Sequence, residues 1–151
     1  MDIKEFDSIM DMAIAAEVEA FEFYTNVAAT VADKGMKKIF QDLAQEEAGH
    51  KVSLLNIKDK ELQNFSFTAA SDYKVAESVA LPKLSMDMKP ADAIALAMKK
   101  EEEAMKMYTG LAMAATEPEK IKLFINLANM ESGHKAKMEG FYTQMAFPEV
   151  W

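Results

Sequence analysis

IFQDLAQEEAGHK at residues 39–51 returns as LFINLANMESGHK at residues 123–135, and EVEAFEFYTNVA at 17–28 returns as EEEAMKMYTGLA at 101–112. Both pairs are offset by 84 positions without a gap. From Met10 to Lys51 that offset leaves fifteen identities in forty-two positions, so the chain reads as a duplicated unit. Each copy carries apolar residues at alternating steps of three and four, the period of a helix with one buried face. The four stripes are Phe6, Met10, Ala13, Glu17, Ala20, Tyr24, Val27 and Val31; Met36, Phe40, Leu43, Glu47, His50, Leu54 and Ile57; Ile94, Ala97, Glu101, Ala104, Tyr108, Leu111 and Ala115; and Phe124, Leu127, Glu131, His134, Met138, Phe141 and Met145.

Working outward from the stripes gives the helix ends. Asp2 and Glu5 form a capping box at the start of a first helix running to about Ala32. Gly35 marks the turn into a second, from Met36 to Lys60. A third begins near Pro90, where a first-turn proline loses no hydrogen bond, and ends near Thr116. Thr116, Pro118 and Glu119 read as cap, first-turn proline and box partner of a fourth, ending near Met145. Between the second and third helices, Leu62–Lys89 shows no sustained period and reads as a long connection with one short helix around Tyr73–Val79. A helix of 25 residues is about 38 Å long, and a dozen or so extended residues cover that distance, so the connection suffices to cross a whole bundle. The expected fold is all-α: a single domain over residues 1–151, a four-helix bundle of two hairpins joined by one crossover.

Composition excludes several functions. The 151 residues contain no cysteine, which removes disulfides, thiolate nucleophiles and any Cys-held zinc or iron. Seventeen basic residues against 25 acidic ones give a net charge of −8, a sign that repels phosphate backbones and anionic lipid. Neither a nucleic-acid partner nor a membrane is expected. MDIKEFDS lacks the basic-then-apolar pattern of a secretory signal, and no apolar run reaches the roughly 18 residues of a membrane span. A cytoplasmic location is the expectation.

Each stripe is polar at one shared level, at Glu17, Glu47, His50, Glu101, Glu131 and His134. An isolated core carboxylate costs several kcal/mol, and four at one level also repel one another. Two arrangements relieve this. Protonation would make a hydrogen-bonded neutral cluster; alternatively, two divalent cations balance four carboxylates while two imidazoles complete the ligand set. A sulfur-free set rich in carboxylate suits iron or manganese, and zinc would also bind. Residues at i and i+3 share a helix face, so Glu47 with His50, and Glu131 with His134, can reach a common ion. One E-x-x-H is weak; two copies, each preceded at 30 residues by a stripe Glu, favour a dinuclear centre.

With these residues placed, the sequence resembles the rubrerythrin-like members of the ferritin-like di-iron carboxylate superfamily over nearly its whole length. That family carries a Glu about seven residues before a Tyr on helices one and three, here Glu17 with Tyr24 and Glu101 with Tyr108, and E-x-x-H on helices two and four. The resemblance implies two iron ions, hydrogen peroxide or dioxygen as oxidant, each iron giving one electron, and a role in oxygen defence. Two features depart from it. Rubrerythrins proper add a Cys-rich domain that feeds electrons to the irons, absent here, so a separate electron donor protein is expected. Many also place a further Glu three residues after the third-helix ligand, where this chain has Ala104.

Tyr24 and Tyr108 read either as donors to the ligand carboxylates or as core tyrosines whose hydroxyls find another acceptor. Gly49 and Gly133, mid-helix beside each His, fit either close helix approach or inheritance through duplication. The thirteen Met residues read as core filler. Glu19, Glu22, Glu46, Glu102 and Glu103 fall off the stripes and read as solvated. The competing functions are iron storage, disfavoured by the half-dozen residues that follow the fourth helix, and a metal-stabilised bundle without catalysis. A homodimer is expected, its hairpins either kept within each chain or exchanged between chains.

Overall fold

The computed structural model describes residues 1–60, 74, 76–78 and 89–146. Four long helices dominate: α1 (Ile3–Thr30), α2 (Lys34–Asp59), α3 (Pro90–Ala114) and α4 (Pro118–Ala146). Among the described residues there is no strand, and the fold class is all-α, with four long helices paired as two hairpins. The chain divides into two compact units, Met1–Phe65 and Ser66–Trp151. No helix among the described residues is long and apolar enough to cross a membrane.

The first unit is the α1–α2 hairpin. At its start Asp2 and Glu5 form the expected capping box, the Asp2 side chain accepting from Glu5 N at 2.9 Å while Glu5 Oε2 accepts from Asp2 N at 3.1 Å. The turn differs from the reading centred on Gly35. The helix stops at Thr30, Val31 takes an extended conformation, and Asp33 caps α2 by accepting from Met36 N at 2.8 Å. Gly35 therefore lies inside the first turn of α2, and its φ is not positive. So short a link leaves the two helices side by side. They bury Phe6, Met10, Tyr24 and Val27 on α1 and Phe40, Leu43 and Leu54 on α2. Each such side chain contributes about 1.5–3 kcal/mol of transfer free energy.

The second unit repeats the plan. Thr30 and Ala114 end the first helices, and Lys34 and Pro118 begin the second ones, at the same 84-residue offset as the sequence repeat. Val31 and Ala115 cap them with matching backbone, φ −74° and ψ 143° against φ −77° and ψ 148°. Pro90 takes the first-turn position expected of it. The first backbone acceptor of α4 is Glu117, which bonds Ile121 N at 3.1 Å, so Thr116 stands one residue outside its expected capping place. The α3 helix buries Ile94, Ala97, Met98 and Tyr108, and α4 buries Phe124, Leu127 and Met138.

This unit also has a part without a counterpart. A 3-10 helix, Ala76–Ser78, packs against α3. It falls within the short helix expected around Tyr73–Val79; most of the Leu62–Lys89 connection, like residues 147–151 after α4, lies outside the described residues. Burial on α3 is correspondingly wider than one stripe: Ala93 through Met98 are buried without interruption.

Candidate metal centre

In the first hairpin, α1 contributes Glu17 and α2 contributes Glu47 and His50. All three lie on the buried stripes because steps of three and four bring them to the same face as Ala13, Tyr24, Leu43 and Leu54. Glu17 and Glu47 are buried, whereas the His50 side chain keeps 24% of its surface exposed. His50 Nδ1 lies 3.4 Å from Glu17 Oε2, joining the two helices. One Glu47 carboxylate oxygen and one His50 ring nitrogen lie within 4.8 Å. Tyr24 is fully buried two turns along α1, edge-on to Phe23 with ring centroids 5.4 Å apart and 6.0 Å from Phe40.

The second hairpin places Glu101 on α3 and Glu131 and His134 on α4. All three are buried, and their ligand atoms lie within 4.8 Å of one another. His134 Nδ1 is 3.4 Å from Glu101 Oε1, the distance found at the equivalent pair in the first hairpin. His134 is the more enclosed imidazole, with its side chain 8% exposed. Tyr108 is fully buried, as Tyr24 is.

The residues between and around these groups divide differently from the sequence reading. Glu19, Glu22 and Glu103 are exposed as expected, and Glu46 is half-buried. Glu102 is not solvated: it is 5% exposed, and its carboxylate pairs with Lys106 and, at 3.2 Å, with Lys99. Burial pushes its pKa up, but the hydrogen bonds from Lys106 and Lys99 outweigh that and hold it below the ordinary glutamate value. Close helix approach does not explain the two mid-helix glycines, because a Cβ at Gly49 or Gly133 meets nothing within 4 Å among the described residues.

A second set of buried charges went unread in the sequence. Lys135, directly after His134, is 1% exposed and lies 3.2 Å from Glu139 Oε2 and 3.1 Å from Glu77 Oε1. Glu139 Oε2 also accepts from Ala76 N at 3.0 Å. The i, i+4 spacing of Lys135 and Glu139 was the available signal, but it recurs on exposed helices and carries no information about burial.

Glu101, Glu131 and His134 fit one first-row cation in kind and number. Their ligand atoms all lie within 4.8 Å of one another, close to the reach of two bonds of about 2.0–2.2 Å meeting at one ion. Carboxylate and imidazole without sulfur are donors of the type iron and manganese prefer.

A family model described as Rubrerythrin matches residues 8–142. Comparison with curated proteins finds no match. A solved structure, a hypothetical protein from Pyrococcus furiosus, is 26% identical with a TM-score of 0.54, covering 97% of this chain and 91% of that one. The likeness therefore extends through both hairpins.

Proposed function

The chain belongs to the rubrerythrin family, and on that footing we propose that it is a di-iron oxidoreductase that reduces hydrogen peroxide or dioxygen. Glu17, Glu47 and His50 from the first hairpin and Glu101, Glu131 and His134 from the second form the ligand set. The observation that carries this reading is the buried Glu101–Glu131–His134 trio, matched in the first hairpin by the His50–Glu17 contact at the same 3.4 Å.

When bound, the two irons supply one electron each. The protein residues do the remaining work. The four carboxylates offset the cationic charge, and their burial keeps bulk water from competing for the ligand positions. Reduction of one peroxide to two waters takes two electrons and two protons. Side chains on a helix lean toward its N-terminus, so Tyr24 leans toward Glu17 and Tyr108 toward Glu101. We assign the two hydroxyls to holding a proton beside those carboxylates.

Electrons come from a separate donor protein, and the working form is a homodimer. The test is anaerobic: iron(II)-loaded protein is mixed with one equivalent of hydrogen peroxide and the remaining peroxide is measured. The expected result is fast consumption that repeats after re-reduction. Consumption no faster than that by the same iron free in buffer would contradict the proposal.

A further inference from the structure

The second unit holds two sets of paired charges, Glu102 with Lys106 and Lys135 with Glu77 and Glu139, at positions where the first unit does not repeat them. Glu102 follows Glu101 and pairs with Lys106 and, at 3.2 Å, with Lys99. Glu77 bonds Lys135, the residue after His134, and Lys135 bonds Glu139 one turn on. Glu139 in turn accepts from Ala76 N, so the 3-10 helix is fastened to α4 at two points. Lys74, shortly before that turn, has φ 56°, in the left-handed region that is costly for a non-glycine residue.

The repeat supplies an internal control. Offset by 84, the places of Glu102, Lys106, Lys135 and Glu139 are taken by Val18, Glu22, Lys51 and Leu55. Lys51 is exposed, although the lysine is common to both copies. Duplication explains why a lysine follows each histidine; it does not explain a buried lysine paired with two carboxylates in one copy alone. Replacing a buried ion pair with apolar residues is often neutral or stabilising, so the network is poorly explained by stability. Groups that hold a metal ligand in place set its orientation and hence its affinity, and here Glu102 and Lys135, the residues next in the chain after Glu101 and His134, are the ones held.

Building on the di-metal reading above, we propose that Glu102, Lys106, Glu77, Lys135 and Glu139 are positioning residues that fix the chain immediately after Glu101 and His134. They make the second hairpin the tighter metal-holding half. The two metal equivalents of the protein are then unequal, the tighter depending on the fastened turn and the weaker on the more open His50 side.

The test uses the full chain and cobalt(II), read by equilibrium dialysis and by the visible ligand-field spectrum. Wild type takes up one tight and one weaker equivalent. Glu77→Gln and the double variant Lys135→Met with Glu139→Leu weaken the tight equivalent by about threefold to tenfold, less than the loss of a group bonded directly to a ligand would cost, and alter its spectrum, while the weaker one is unchanged. Lys51→Met alters neither. Should the double variant lose its helical circular dichroism, Glu77→Gln decides, because that side chain is 37% exposed and dispensable for packing. An unchanged tight equivalent in folded Glu77→Gln protein overturns the inference with the di-metal reading intact. Wild-type protein that takes up no cobalt overturns both.

Discussion

His134 Nδ1 lies 3.4 Å from Glu101 Oε1, joining α4 to α3 at the level where both stripes turn polar. The equivalent pair, His50 and Glu17, stands at the same distance in the other hairpin. A single duplicated contact therefore carries an imidazole and a carboxylate into each hairpin core, and each E-x-x-H adds a second carboxylate beside its own imidazole.

Removing the carboxylate of either E-x-x-H tests whether these groups ligate. Glu47→Ala and Glu131→Ala are each expected to lower bound metal to about half or less and to abolish peroxide consumption, since an outer or inner ligand loss costs tenfold or more in affinity. Elemental analysis of dialysed protein measures it. Unaltered stoichiometry in both variants would contradict the ligand assignment.

The mid-helix glycines give a prediction independent of metal. A methyl group at Gly49 or Gly133 meets open space among the described residues, and glycine within a helix costs about 0.5–1 kcal/mol relative to alanine. Gly49→Ala and Gly133→Ala should each stabilise the metal-free protein by about that amount, read as a higher urea midpoint at constant slope.

Phe40 tests the core beneath the first half-site. It is fully buried, with its ring 6.0 Å from that of Tyr24. Phe40→Ala should cost about 3–5 kcal/mol in denaturant unfolding. A loss below 1 kcal/mol would mean that the α1–α2 packing described above is wrong.

Stability against pH follows from Glu102. Burial raises its pKa, but the bonds from Lys106 and Lys99 lower it further, so the folded carboxyl ionises below the ordinary value of 4.5. On acidification the unfolded chain takes up this proton first, so stability present above 4.5 is lost as pH falls through the lower folded value. In metal-free protein, Glu102→Gln should therefore flatten the acid limb of a urea-midpoint profile. An acid limb identical to that of wild type would exclude Glu102 as a source of the slope.

How much of this was legible in the sequence depends on what fixes each residue. The stripes fixed Glu17, Glu47, Glu101 and Glu131 on buried faces, because a helix period needs only local spacing. Asp33 was readable too: a carboxylate three residues before Met36 is a cap signal, although Gly35 beside it is also a turn signal. Lys135 was not readable. Lys51 and Lys135 are the same letter in the same repeat context, yet one is exposed and the other buried. The difference is made by Ala76–Ser78, whose segment has no period to place it. The burial of Glu102 was hidden for the same reason: a position off its own stripe is solvated only if nothing packs on the second face.

The central claim is that six side chains, three from each hairpin, hold a pair of iron ions. Purification without oxygen followed by metal analysis and the visible spectrum tests it most directly. The account predicts about two irons per chain, in keeping with a ligand set of four carboxylates and two imidazoles, and a near-ultraviolet band that grows when peroxide is added. Folded protein that holds no metal, or zinc alone with a spectrum indifferent to peroxide, would contradict it.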